Sequence, residues 1–444
     1  MRKFRRVVYL DSGSLGPSPE VITKAQTAWL RLRNQIGPAA ELTKKIIEGG
    51  LVSVPELRRD YPSLINWSGI EHLRKKAAAV LGCEKDEIIF TQNTSDAIKW
   101  VLSDLRLTRE DEILTTDLEH DSTLYNCACA HSQWKTQVSQ VTLSDLLASS
   151  NFESESVKRI QNAITKHTRL VILSHISYSS GVILPINKIA RACKDRNPSI
   201  LVLVDGAHSL GLVPLSVNKF NCDFFASSGT KWLLAPEGTG ILFIRKELLQ
   251  QRNGQLALWP SAAYQVSQSI CLSPESSSGI MQNIAFDECG EPRAVELGTA
   301  NITSLIGLDS ALDEYLRQGP SNVAERVTTL SQFAVTLLKE IGDVDLPFTS
   351  NNSLAPGIVC FKIAQLVSYK DICQFINILQ EEYGIICRAI PKPPCIRLSI
   401  HHFNTETDLR QMASAVRKVA LQQTNVNQSM CQALPDTKDN KDIA

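Results

Sequence analysis

Short apolar runs closed by turn residues alternate, over the first 250 positions, with stretches of helical periodicity. Residues 87–91 (EIIFT), 112–115, 170–174 (LVILS), 201–204 (LVLV), 224–227 and 240–245 read as strands. Between them, 68–81, 95–105 and 186–194 space their apolar positions three and four apart and read as helices. This alternation predicts an α/β fold with a mostly parallel sheet. Residues 250–291 are rich in Ser, Gln and Gly and read as a long irregular excursion. Beyond Thr299 the texture changes: 302–317 and 322–341 predict long helices, and a short α+β unit follows to about residue 423. The final stretch, 424–444, is polar and is expected to be disordered.

Composition narrows the function classes. The chain has 444 residues, 43% of them apolar, enough for a large domain with a smaller one beside it. Lys and Arg together number 46, as do Asp and Glu, so the formal charge is zero and offers no footprint for nucleic acid or an anionic membrane. The basic start, MRKFRRVVYLDSG, has a four-residue apolar run and no signal-peptide core, and no stretch reaches the roughly 20 apolar residues of a membrane span. A cytoplasmic protein is expected. Its 12 cysteines then read as free thiols. None has C-x-x-C spacing, so no metal site is expected. There is no P-loop, nucleophile-elbow or dinucleotide-binding glycine motif.

The chemistry concentrates at strand ends. The run at 201–204 leads into Asp205-Gly206-Ala207-His208, and the one at 224–227 into Ser228-Gly229-Thr230-Lys231. In parallel α/β sheets ligands sit at the carboxyl ends of strands. A lysine amine and a carboxylate there are the two groups that pyridoxal phosphate (PLP) chemistry needs: one to form an imine with the aldehyde, the other to keep the pyridine nitrogen protonated. Alone, each reads more readily as a turn aspartate or a loop lysine; it is their combination at strand ends that favours the functional reading. Thr94 and Ser95 open a helix after a strand, a ready anion site or a plain N-cap; Ser228 and Thr230 add hydroxyls beside Lys231. His120 follows the strand at 112–115 by a short turn, where an imidazole could stack on a ring. Arg397, in CIRLS, has the planar fork for a substrate carboxylate, or for an ordinary ion pair. Cys395, two positions before it, would share its face of a strand.

Taken in order, these segments resemble fold-type I PLP enzymes of the class V aminotransferase group, which includes cysteine desulfurases, cystine C–S lyases and isopenicillin N epimerase-like proteins. The likeness runs from YLDSGSLGP near Tyr9 to IRLSIHHFNTETD near Asp408, and VDGAHSLG…DFFASSGTKWLLAPEGTG is its most specific part. It implies a mostly parallel seven-stranded large domain over 46–300, a smaller α+β domain over 301–423, and an N-terminal segment, 1–45, packing with the small domain. It implies Lys231 as the Schiff-base lysine, Asp205 as partner of the pyridine nitrogen and His120 stacked on the ring. Thr94, Ser95, Ser228 and Thr230 match phosphate-binding positions, and His208 lies near the ring oxygen. Tyr178 stands where desulfurases have an asparagine near the cofactor oxygen. Arg397 matches the arginine for the substrate carboxylate. Gly298-Thr299 resembles the segment that reaches a neighbouring subunit's phosphate, which implies a homodimer with its active site at the interface.

Two departures set the expected reaction. The stretch from Gly384 to Cys395 is short and proline-rich where desulfurases carry a mobile thiol loop, and an aromatic residue stands at 178. Both resemble the C–S lyases and epimerase-like proteins more than the desulfurases, and the expected reaction is C–S lyase-type β-elimination on a cysteine-derived amino acid, giving pyruvate, ammonia and a sulfur product. The alternatives are an epimerase, a desulfurase using Cys395, a transaminase, or an inactive scaffold that binds no PLP. Ser12 to Pro17 and 250–291 are expected to line the substrate entrance.

Overall fold

The computed structural model describes residues 7–250 and 300–432. The excursion predicted from residue 250 onward and Thr299 therefore lie outside the described residues, apart from residue 250 itself. Strands are numbered in chain order. The main sheet is built from β2 (Ile88–Thr91), β3 (Glu112–Thr116), β4 (Gln137–Val141), β5 (Thr168–Ser174), β6 (Leu201–Asp205), β7 (Phe224–Ser228) and β8 (Gly240–Ile244), after a two-residue β1 (Val8–Tyr9). Its order is β2-β8-β7-β6-β5-β3-β4, with β8 antiparallel to both neighbours and every other pairing parallel. This is the mostly parallel α/β sheet that the strand pattern predicts, with the seven strands that the resemblance implies; β4, at its edge, is not among the six strands read from the residues.

Burial on both faces explains why the central strands read as unbroken apolar runs. Along β6, Leu201 and Leu203 join the core on one side of the sheet, while Val202 and Val204 join the core on the other. The helix Thr94–Leu105 lays Ala97, Ile98, Val101 and Leu102 onto the first of these cores. The helix Ile186–Arg196 lays Ile186, Ile189, Ala190 and Cys193 onto the second. With period two along the strand, Asp205 is the next residue on the Leu203 side, so the apolar core ends there in a carboxylate.

A second, antiparallel sheet has the order β12-β13-β10-β9, from β9 (Val344–Asp345), β10 (Ile358–Ile363), β12 (Arg388–Pro391) and β13 (Pro394–Ser399). β1 pairs in parallel with β11 (Ile385–Ile386). Packing divides the chain differently from the expected boundary at 300/301. The helix Ile302–Gln318 buries Leu305, Leu308 and Leu312 in the large core, and Val323 and Val327 of the next helix belong there too. The smaller core begins at Leu330 and takes in Val8 and Leu10. The first 45 residues are likewise shared: β1 goes to the small unit, whereas Ile22, Ala25 and Trp29 pack into the large one.

At the C-terminus, the helix Glu406–Gln432 runs past residue 424, where the polar composition predicts disorder. Its packed first half, with Leu409, Met412, Val416 and Val419, nucleates it, and each further residue adds a backbone hydrogen bond. Among the described residues no helix is long and apolar enough to cross a membrane.

Candidate active site

The carboxyl ends of β6 and β7 bring Asp205 and Lys231 to one edge of the sheet, paired through the register Asp205–Ala226. Asp205 is fixed from two sides. Thr123 Oγ1 donates to Oδ2 at 2.8 Å, and the Ala207 backbone N–H donates to Oδ1 at 3.0 Å. Lys231 is half-buried, and its pKa falls to about 8. Desolvation lowers it, Asp205 opposes that, and the guanidinium charges of Arg397 and Arg388 lower it further. A lysine so tuned keeps about a tenth of its amine free at pH 7, far more than an ordinary lysine, and the free amine is what imine formation requires.

His208 stands 3.4 Å from Lys231, Nε2 to Nζ. His120 caps the helix Asp121–Trp134, its Nδ1 accepting from the Ser122 backbone N–H at 3.1 Å. Its ring meets Tyr178 edge-on, centroids 4.8 Å apart. Burial and the nearby Lys231 charge lower its pKa. Lys231, Asp205, His120, His208 and Arg397 thus act on one another's charges, so the structure brings these sequence candidates together.

The hydroxyl cluster assembles across β7, β8 and β2. Ser228 pairs with Gly240, and Gly240 with Thr91. A Cβ on Gly240 would stand 2.4 Å from Thr91 Oγ1 and 2.7 Å from Asn93 N, so only glycine lets the start of the helix Thr94–Leu105 come this close to Ser228. Ser228 and Thr230 hydroxyls lie 2.9 Å apart. The N-cap of that helix is Asn93, whose Oδ1 accepts from the Asp96 backbone N–H at 2.9 Å, rather than Thr94 or Ser95. Thr94 Oγ1 is left buried without a hydrogen-bond partner among the described residues. An unsatisfied buried hydroxyl is costly unless a ligand completes it, and here it sits at a helix N-terminus. Together with the amine and the carboxylate, this donor set fits a phosphorylated pyridine aldehyde.

Arg397 is buried on β13, and its fork is heavily engaged. Nη2 donates to Asp11 Oδ1 at 2.9 Å and to Ser14 Oγ at 3.1 Å, and Nη1 donates to the Tyr178 carbonyl at 2.9 Å. Nε is buried without a partner among the described residues. Ser12 to Gly16 bridges this corner to the lysine loop: the Gly16 N–H donates to the Thr230 carbonyl at 2.7 Å, and a Cβ on Gly16 would collide with the Lys231 carbonyl. Arg388, on β12, is the register partner of Arg397 and is exposed.

Residues 388–399 form a tight hairpin turning at Lys392-Pro393. Cys395 on it is fully buried, on the Arg397 side of the strand, its Sγ 3.9 Å from the Ser179 carbonyl. Cys360 faces the same carbonyl.

Three residues of this region escaped sequence reasoning. Glu119 is buried between Thr116 and Ser174, whose hydroxyls donate to it at 2.7 and 2.6 Å, and burial raises its pKa to about 8. The strand-to-helix turn DLEH was its available signal. Asp11 had none, since its partner is 386 positions away. Trp232, buried beside Lys231, stands in the sequence only as part of the motif SSGTKW, with nothing to single it out.

The family model described as aminotransferase class-V matches residues 66–412. A probable cysteine desulfurase of Methanothermobacter thermautotrophicus is 25% identical, over 93% of this chain and 94% of that one. The isopenicillin N epimerase of Streptomyces clavuligerus is 26% identical, over 92% and 94%. Among solved structures, the cystine C–S lyase C-DES in complex with its reaction product cysteine persulfide superposes with a TM-score of 0.73 at 22% identity, covering 93% of this chain and 97% of that one. At that identity the likeness speaks for the fold.

Proposed function

The chain belongs to the aminotransferase class-V family and is a pyridoxal 5′-phosphate-dependent enzyme, and from that premise we propose that it performs β-elimination on a cysteine-derived amino acid. The observation that carries this reading is the hairpin at 388–399. It leaves Cys395 buried rather than on a mobile loop, so no thiol there is free to take sulfur from a substrate. Cys387, in the same stretch, is pushed up to about 12 by burial and stays a thiol, not the nucleophilic thiolate. With neither hairpin thiol placed to accept it, the sulfur group departs as a leaving group.

When bound, the cofactor supplies an aldehyde that takes up amines and a ring that accepts the electrons left by a departing α-proton. Lys231 provides the amine to which it attaches and, once displaced by substrate, a base with a pKa of about 8 for that proton. Asp205, oriented by Thr123 and Ala207, would pair its carboxylate with the ring nitrogen and keep it protonated. Thr94, Ser95, Ser228 and Thr230 would hold its phosphate with the helix N-terminus, and His120 would lie against its ring. Arg397 orients the substrate carboxylate through its remaining donors, and Tyr178 borders that corner through its carbonyl. Thr299 would complete a second subunit's phosphate site in a homodimer, which sedimentation can test.

Purified protein given cystine or an S-substituted cysteine is expected to release pyruvate, followed by coupled reduction with lactate dehydrogenase. Alanine with a protein persulfide would identify a desulfurase, and α-carbon inversion without pyruvate an epimerase.

A further inference from the structure

Trp232 follows Lys231 in the chain, is 1% exposed, and has no part in the chemistry described so far. Its indole Nε1–H donates to Nδ1 of His208 at 3.2 Å. An indole nitrogen can only donate, so the nitrogen that receives it must be bare. A neutral imidazole carries a single proton, which therefore resides on Nε2, the atom facing Lys231 Nζ at 3.4 Å. His208 is neutral: burial, reinforced by the charges of Lys231, Arg397 and His120, lowers its pKa well below the ordinary value.

The far side of Trp232 is held as firmly. Its carbonyl accepts from His401 Nε2 at 2.7 Å, and the two rings stack at 17° with centroids 5.9 Å apart. His401 follows β13, the strand of Arg397, and its backbone N–H is pinned by Asn404 Oδ1 at 2.8 Å. The indole is thus clamped between the segment after Arg397's strand and the ring beside Lys231.

We propose that Trp232 is a positioning residue that locks His208 in the Nε2–H tautomer, so that the imidazole offers the lysine nitrogen and the cofactor oxygen beside it a donor and no lone pair. A donor at that place disfavours the ammonium form of Lys231, which has no lone pair to accept with, and favours the amine. Freed from the indole, the ring could turn a lone pair to the ammonium and stabilise it. The tautomer rests on the protein's own hydrogen bonds; its use rests on the PLP reading above.

The test uses [15N]histidine-labelled, cofactor-free protein and two-bond 1H–15N correlation, with His208→Gln to assign the signal. His208 is expected to show the Nε2–H pattern without titrating between about pH 6 and 9. In Trp232→Phe a mixed pattern is expected, with the pKa of Lys231, read from the pH dependence of PLP capture, higher by on the order of one pH unit. An Nδ1–H pattern in the unaltered protein overturns the proposal, and needs no variant to fold. So does a Trp232→Phe protein that keeps both the pattern and the Lys231 pKa. Failure of the PLP reading would show separately, as the absence of a borohydride-fixed pyridoxyl group on Lys231 while the tautomer is as stated.

Discussion

The floor of the site and its carboxylate corner are held together in different ways. On the floor, Asp205 and Lys231 come from adjacent strands of one sheet, 26 positions apart, and Asp205 is fixed by neutral donors, a hydroxyl and a backbone N–H. At the corner, the buried Arg397 is held by a carboxylate 386 positions away, a hydroxyl from the same turn and a carbonyl from a third segment. The floor is a product of sheet register. The corner exists only when the N-terminal turn, the segment after β5 and β13 have all docked, and it depends on one charged neighbour. The floor should therefore lose function when a reacting group goes, and the corner when a support goes.

Lys231→Ala breaks the floor most severely. Pyruvate release should fall by roughly 10³-fold or more, since nucleophile and base leave together. Borohydride treatment of the unaltered protein with PLP should leave a pyridoxyl tag on the peptide containing residues 227–232, and on no such peptide in the variant. A tag on another lysine of the unaltered protein would displace the whole assignment.

Asp11→Ala addresses the corner through a residue that touches Arg397 rather than substrate. It removes the only carboxylate paired with that guanidinium among the described residues, at 2.9 Å. Charge-assisted hydrogen bonds contribute about 1.5–3 kcal/mol, so KM for the amino acid should rise about tenfold or more while kcat changes little. A fall in KM would mean instead that Asp11 competes with the substrate carboxylate for the fork.

The same contrast accounts for what could be read from the amino acids alone. LVLV and FFAS are strands by local composition, and the groups at their ends inherit positions from the sheet, so Asp205 and Lys231 were visible in the chain. The anchoring hydroxyls were found with the wrong cap: Asn93 and Thr94 both suit an N-cap, and only the packed helix shows that Asn93 takes it and that Thr94 Oγ1 has no partner among the described residues. Arg397 was legible as a fork, but not the partners that occupy it, because nothing near position 397 mentions Asp11. Trp232 is core; its second role lies in one N–H whose direction depends on His208 and His401. The packing of the segment after residue 300 was not legible for a related reason. The helix Ile302–Gln318 looks alike whichever core it joins, and only tertiary contact assigns it to the large one.

Thr123→Val is the mildest and sharpest probe of the difference. Thr123 is fully buried, and valine keeps its branched shape while removing the donor to Asp205 Oδ2. If the floor is held by register, Asp205 remains at the end of β6 with the Ala207 N–H still on Oδ1, and its charge is untouched. A single hydrogen bond of ordinary net worth is lost, so PLP affinity, measured by fluorescence titration, should weaken about threefold. KM for the amino acid, set at the other end of the site, should stay as it was. An effect on PLP as large as that of Asp11→Ala on KM would show that Asp205 depends on its support as Arg397 does on Asp11, and the two regions would then be built alike.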